Sequence, residues 1–467
     1  MKLKPSKQVK TRWIQLSGQL MRPKRRLHVP VALRLVVGLA LLIVMGTAVL
    51  LLPMMTTKPI TLLEAFFTAT SAATVTGLSV VTTSTTFTPL GQTVLLGLIQ
   101  LGGMGLMALV VLTLRLIGQK VSLLNRLAIS GTIGMDDSTA VLPLLTRAFL
   151  GMLIIEAIGA GLLYTHWQLS GIVTERVAFY ALFHAVSAFC NAGFDLFFGM
   201  PQYPKGIPTD NLTLIIMGWI VVLGGLGVPL FVNFAQRQTH RRFSLNSRIT
   251  LIVVALLTLA GWAGLFIAES QAHGVIQHLP LTERLVQTWF QSVSIRTAGF
   301  PGLESFSELT AESQLLVMAL MFIGCAPASM GGGITTGTFA VLSLTLLSYV
   351  RGHSDVHVFG RRIAREVVLR ATAVLTVSLG VVFSASWLIL FTNSFEFNLV
   401  LFEVVSALAT CGLSLGITSE LTPFGQVIIA FVMFWGRLGA LTIVIALIQR
   451  RPAEQLVKYP EAMILIG

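Results

Sequence analysis

The sequence predicts an all-α polytopic membrane protein made of four internal repeats, each a helix, a short re-entrant segment and a second helix. Three observations predict it: apolar runs long enough to cross a bilayer, an uneven sharing of lysine and arginine between loops, and a short motif that recurs four times.

Composition sets the class. A chain of 467 residues that is 54% hydrophobic and only 11% charged carries more apolar surface than a soluble core can enclose. Its net charge of +13 would suit a nucleic-acid binder if the basic residues lined one face of a soluble domain. Here they flank long apolar segments, so membrane lipid is the expected partner and nucleic acid is not. Cys190, Cys325 and Cys411 are odd in number, lie in or beside apolar segments and show no paired spacing, which speaks against disulfide and zinc frameworks. Residues 1–30 are basic and mildly amphipathic through Trp13, Ile14, Leu16 and Leu20, as expected of a cytoplasmic tail resting on anionic lipid. The first apolar run is too long for a signal-peptide core and is followed by no small-residue cleavage site, so a retained helix is expected.

Runs of about 20 apolar residues, the length that crosses the hydrocarbon layer, fall near 31–53, 89–114, 142–165, 210–234, 247–269, 312–349, 367–391 and 421–448. Between successive pairs lie shorter apolar pieces near 62–74, 176–189, 283–295 and 396–409, too short to cross. Basic residues sort the loops. Arg115, Lys120, Arg126, Arg237, Arg241, Arg242, Arg351, Arg361, Arg362, Arg450 and Arg451 fall on one side, while the segments holding the short pieces carry only Lys58, Arg176, Lys205, Arg284 and Arg296. The positive-inside rule then puts both termini in the cytoplasm and makes every short piece dip in from outside.

The short pieces repeat one another. Three read F-x-x-x-S-A-x-x-x-x-G (Phe67, Ser71, Gly77; Phe183, Ser187, Gly193; Phe402, Ser406, Gly412), and the fourth (Phe290, Ser294, Gly299) is one residue shorter. Their glycines lie about 110 residues apart, the length of a helix–pore loop–helix unit. The expected organisation is a tail (1–30), repeat 1 (31–114), repeat 2 (142–234), repeat 3 (247–349), repeat 4 (367–448) and a second tail (449–467), in pseudo-fourfold arrangement around one ion pore. Residues 88–105 align without a gap on 422–439, and LGGLG (223–227) falls at the matching point of the second repeat. Under that alignment Arg437 stands where the first two repeats have Gly103 and Gly225.

Irregular backbone at membrane depth is tolerated where it is buried in protein or lines a water-filled path. Four short helices entering from outside and ending near a glycine make sense if they converge on one axis and aim the negative ends of their dipoles at a cation. Past each helix, a strand can turn its carbonyls inward to replace a hydration shell. The expected strands are Val75-Thr76-Gly77-Leu78, Asn191-Ala192-Gly193-Phe194, Thr297-Ala298-Gly299-Phe300 and Thr410-Cys411-Gly412-Leu413. Neutral carbonyls suit a monovalent, weakly hydrated cation, and no ring of acidic residues marks a calcium path.

The sixth span is interrupted by CAPASMGGGITTGT (325–338), through which no helix can run. Its Gly331, Gly332 and Gly333 suggest a flexible intramembrane loop acting as a gate; a simple kink is the plainer reading. Its G-x-x-x-x-G-T string lacks the lysine of a phosphate loop and is flanked by membrane helix. Arg437, in the middle of the last span, is a functional candidate by its cost alone: it would repel a cation or pin the glycine loop through its carbonyls, or else pair with a buried carboxylate such as Glu156. Glu64 with Thr61 forms a capping-box pattern, and Glu175, Glu283 and Glu396 stand at similar helix starts. His353, Asp355 and His357 look metal-like but lie in a basic cytoplasmic loop. No catalytic pairing stands out, so no enzyme is expected.

TVTGLS, NAGF, RTAGF, GGGITTGT and FWGRLG together resemble the Trk/Ktr/HKT superfamily of cation-translocating proteins over nearly the whole chain. The first span beginning near residue 31 fits the Ktr branch, which lacks the additional N-terminal helices of the Trk branch, and the ending KYPEAMILIG is similar to Ktr-branch tails. The resemblance implies potassium as the transported ion, with sodium as a candidate activator and no organic cofactor in this chain. It implies a homodimer with one pore per subunit, docked on a cytoplasmic ring of a KtrA-type RCK protein that binds nucleotide. It assigns the four glycines to a potassium filter, in which serine at the position of Gly77 goes with sodium permeation, and assigns Gly331–Gly333 and Arg437 to the gate. Met330 and Thr336 depart from the family pattern of a small residue and a lysine. The alternative is a sodium-coupled or sodium-permeable relative, such as the similar subunit associated with vacuolar-type sodium ATPases.

Overall fold

The computed structural model describes residues 31–103, 141–172, 175–203, 206–235, 244–271, 273–303, 305–353 and 355–439. Both expected tails, the end of the second expected span and the end of the eighth lie outside the described residues. Among the described residues, four helices are long and apolar enough to cross a membrane: α1 (Val31–Leu50), α5 (Val141–Ser170), α9 (Leu245–Glu269) and α13 (Arg365–Thr392). They leave large apolar side chains bare, among them Leu41 and Val44, Ile154 and Ile158, Leu256 and Leu259, Phe383 and Trp387. An apolar band of this extent is the surface that lipid covers.

The remaining elements are shorter. After α1 come α2 (Leu62–Thr74), the single turn α3 (Thr83–Thr86) and α4 (Pro89–Gly103). After α5 come α6 (Val177–Phe189), α7 (Asn211–Gly225) and α8 (Val228–Ala235); after α9 come α10 (Leu281–Ser294), α11 (Ala311–Ile323) and α12 (Thr336–Val350). A two-stranded hairpin, β1 (His357–Val358) and β2 (Arg361–Arg362), precedes α13, and α14 (Phe397–Ala409) and α15 (Pro423–Leu438) follow it.

Local chemistry fixes the ends. Thr61 Oγ1 accepts from the Glu64 amide at 3.3 Å while Glu64 Oε2 accepts from the Thr61 amide at 2.7 Å, a complete capping box at the start of α2. The other three acidic residues expected to cap do not. Glu175 lies ahead of α6, which starts after Arg176; Glu283 sits three residues into α10 but faces Pro280, which has no side-chain oxygen; Glu396 is the capping residue of α14 yet bonds no helix amide. The helices that follow each short piece start alike, because Thr88, Asp210, Thr310 and Thr422 accept from the amide three residues on.

One expected span is corrected. The fourth apolar run (210–234) reads as continuous, but the structure breaks it at Leu226–Gly227, where Gly227 has φ 82°. The cause is tertiary: the chain at Pro327 comes so close that a Cβ on Gly227 would stand 2.8 Å from the Pro327 carbonyl oxygen, and Ala326 N donates to Gly225 O at 3.3 Å.

The short helices α2, α6, α10 and α14 are the buried ones, and the packing order is cyclic. The helix after each short piece packs on the next short helix: α4 on α6, α7 on α10, α11 on α14, and α15 back on α2. Small residues let this happen within a repeat as well. Gly102, Gly224 and Gly436 lie flat on the main chain of Ala73, Phe189 and Leu408, each four residues ahead of a strand glycine, where any side chain would collide.

Candidate functional site

Each short helix runs into the strand expected after it, and the four strands share one backbone. Val75, Asn191, Thr297 and Thr410 adopt left-handed φ values of 57°, 56°, 78° and 49°, and Gly77, Gly193, Gly299 and Gly412 follow two residues later at 94°, 66°, 74° and 93°. Side chains rarely adopt such angles, and four non-glycine residues held there mark a backbone constrained by its surroundings. The serine of each motif does the holding. The carbonyls of Ser71, Ser187, Ser294 and Ser406 accept from the amides of Thr76, Ala192, Ala298 and Cys411 at 2.7–2.9 Å. The hydroxyls divide into two pairs: Ser71 and Ser406 accept from Gly77 N and Gly412 N at 3.0 and 3.1 Å, whereas Ser187 and Ser294 donate to Phe194 O and Phe300 O at 2.9 and 2.6 Å.

The strands touch one another in sequence order and close. A Cβ on Gly77 would stand 2.5 Å from Ala192 O and one on Gly193 would stand 2.9 Å from Ala298 O; Gly299 abuts Cys411 O, and Gly412 abuts Thr76 O. Four carbonyl-bearing segments thus enclose one axis at a separation only glycine allows. On one side the ring opens into a cavity of about 500 Å³ lined by all four glycines together with Ser79, Asp195, Glu308 and Ser414.

On the other side lies the interrupted stretch between α11 and α12. Gly331 sits against the Thr297 hydroxyl, and a Cβ on Gly332 would stand 2.6 Å from Thr410 Oγ1, so the glycine run passes directly under the third and fourth strands. Ala328 and Thr335 take left-handed φ values of 55° and 63° in this stretch. Cys325 ties it to the third strand, its Sγ lying 2.8 Å from Arg296 O and 3.1 Å from Thr297 Oγ1. Arg437 ties it to the opposite wall: its guanidinium donates to Met330 O and to Gly102 O and Gly103 O, the last at 2.9 Å. Glu156, the carboxylate weighed as its partner, instead accepts from Gln100 Nε2 at 3.1 Å through both oxygens.

A family model described as TrkH, cation transport protein, matches residues 35–459. The chain belongs to the TrkH cation transport family. It is 35% identical to the Ktr system potassium uptake protein B of Bacillus subtilis over 93% of this chain and 96% of that one. It is 31% identical to the potassium/sodium uptake protein NtpJ of Enterococcus hirae over 87% of this chain and 90% of that one. The crystal structure of the potassium transporter TrkH from Vibrio parahaemolyticus shares the fold, with a TM-score of 0.70 at 19% identity, covering 94% of this chain and 91% of that one. The protein is therefore an all-α, multi-pass membrane transporter of the Trk/Ktr superfamily.

Within this TrkH-family chain, sequence reasoning overlooked several buried polar groups around the ring. Arg296, counted among charges of the outer segments, is only 5% exposed, and its guanidinium approaches Gly324 O, Val254 O and Thr258 Oγ1, each at 3.4 Å. Glu269 is fully buried at the end of α9, accepting from Val275 N, Thr310 N and Thr310 Oγ1 at 2.9–3.1 Å. Thr336 is buried and its amide donates to Cys325 O at 2.9 Å. Asp355, by contrast, pairs with Arg362 at 2.8 Å beside the hairpin.

Proposed function

We propose that this chain takes up potassium across the cell membrane of a bacterium as the ion-translocating subunit of a Ktr-type system. The observation that carries the proposal is the closed ring of four strands with one backbone conformation. Alternating left-handed residues allow successive carbonyls to face the same side, which is what replacing a cation's hydration shell requires. Val75–Leu78, Asn191–Phe194, Thr297–Phe300 and Thr410–Leu413 form the selectivity filter in pseudo-fourfold arrangement, with the cavity as outer vestibule, and the four repeats are the structural units. The ends of α2, α6, α10 and α14 add their dipoles to the attraction.

The gate is the loop of Gly331, Gly332 and Gly333, held across the path beneath the filter by Arg437. The guanidinium plays two parts, anchoring the loop and placing a positive charge where a cation must pass. Both termini lie in the cytoplasm, and the chain works as a homodimer on a KtrA-type RCK ring that senses nucleotide and moves the loop. The multi-component naming of the Bacillus subtilis relative as part of a Ktr system supports a partner. The relative named for both potassium and sodium uptake favours a second reading, a sodium-coupled or sodium-permeable transporter. Glycine rather than serine at Gly77 supports potassium.

The test is growth of a potassium-uptake-deficient bacterium on limiting potassium with this chain, with and without a KtrA-type partner. Rescue supports the proposal. Failure in both conditions, with the protein present in the membrane, overturns it, and rescue by sodium-driven uptake alone favours the second reading.

A further inference from the structure

The residue after the repeated phenylalanine is polar in every short helix: Thr68, His184, Gln291 and Glu403, all with 0% exposure. Burying such groups is costly unless they are partnered. Three of them have partners, and each of the three has one at the same place, two or three residues past the strand glycine. The His184 ring stands between Tyr180 O at 2.8 Å and Asp195 Oδ1 at 3.0 Å. Gln291 Oε1 accepts from Gly302 N at 2.7 Å. Glu403 Oε2 accepts from Ser414 Oγ at 2.7 Å, and its Oε1 accepts from Thr418 Oγ1 at 2.5 Å. In the first quarter the Thr68 hydroxyl has no partner among the described residues.

We propose that this position is a strap that fixes the outer ends of three of the four filter strands to their own helices and thereby sets potassium over sodium discrimination, a reading that rests on the filter assignment above. A carbonyl cage that resists closing around the smaller cation favours the larger one. The strap supplies that resistance from behind: the polar group on the rigid helix holds the segment leaving the ring, so the carbonyls cannot move inward independently. His184, Gln291 and Glu403 are positioning residues rather than ion ligands, since each faces the segment beyond the strand. The quarters are unequal in stiffness, with the carboxylate of Glu403 holding two hydroxyls and Thr68 holding nothing. The first strand is the loose one.

The experiment uses the full chain in proteoliposomes, comparing potassium and sodium flux for the wild type, Glu403→Leu, Gln291→Leu, Glu403→Gln and Gly77→Ser. Both leucine variants are expected to lower the potassium-to-sodium permeability ratio by at least about fivefold through loss of buried hydrogen bonds. Glu403→Gln, which keeps an oxygen for one hydroxyl, should stay within about twofold of the wild type. If Glu403→Leu fails to fold, Ser414→Ala combined with Thr418→Val removes the same bonds from the other side and carries the same expectation. A folded strap variant with an unchanged ratio, beside a Gly77→Ser control that shifts it, overturns the strap and leaves the filter standing. An unchanged ratio in all variants, Gly77→Ser included, overturns the filter assignment and the strap with it.

Discussion

Arg437 donates to the carbonyl oxygen of Met330, the residue immediately ahead of the Gly331–Gly333 run. Its other nitrogen reaches Gly102 O and Gly103 O, so a single side chain joins α15, the interrupted stretch and α4. Charge-assisted hydrogen bonds of this kind are the strong ones, and a planar fork can span two walls where an ammonium cannot.

Arg437→Ala should therefore raise potassium flux by about tenfold, from losing one or two net hydrogen bonds that favour the closed loop. Arg437→Lys should fall between the two, since it keeps the charge and loses the bridge. Rubidium uptake into proteoliposomes measures both, and wild-type flux in the alanine variant would count against the gate.

Deleting Gly331–Gly333 should raise flux to a similar degree. On the proposal that the loop and Arg437 act as one latch, combining the deletion with Arg437→Ala should give little more than either change alone. A multiplied effect in the double variant would mean that the two act separately.

Gly77→Ser should lower potassium over sodium selectivity, because the new side chain meets Ala192 O at a φ of 94° that serine resists. Gly299→Ala, pressing on Cys411 O at φ 74°, should abolish uptake altogether. Relative permeability of reconstituted protein separates the two outcomes.

Glu269→Ala should destabilise the protein by about 3 kcal/mol, leaving the amides of Val275 and Thr310 without an acceptor in a buried corner. Glu269→Gln keeps one acceptor and should cost about half as much. Thermal unfolding of the detergent-solubilised protein reads the difference.

Much of this architecture is legible in the chain because its causes are local. The short helix expected over 62–74 is α2, Leu62–Thr74, since the Thr61–Glu64 box and the left-handed Val75 define both ends within the segment. The interruption at 325–338 is legible for the same reason, being proline and glycine in an apolar run. The break at Gly227 is not, because it is imposed by Pro327 about a hundred residues away. Arg296 misleads in the same manner: a charge count sees a cation outside, while the fold turns the side chain toward Gly324 O. The strand residues were readable from their fourfold recurrence. The polar position beside each phenylalanine recurs too, but its four different side chains hide the likeness until the common destination of His184, Gln291 and Glu403 is seen.

The ring of Gly77, Gly193, Gly299 and Gly412 is cut from one continuous chain. In an assembly of four identical subunits, any change in the gene would strike all corners at once, and most would be lethal there. Here one codon alters one corner, so the quarters of the proposed filter can diverge one at a time.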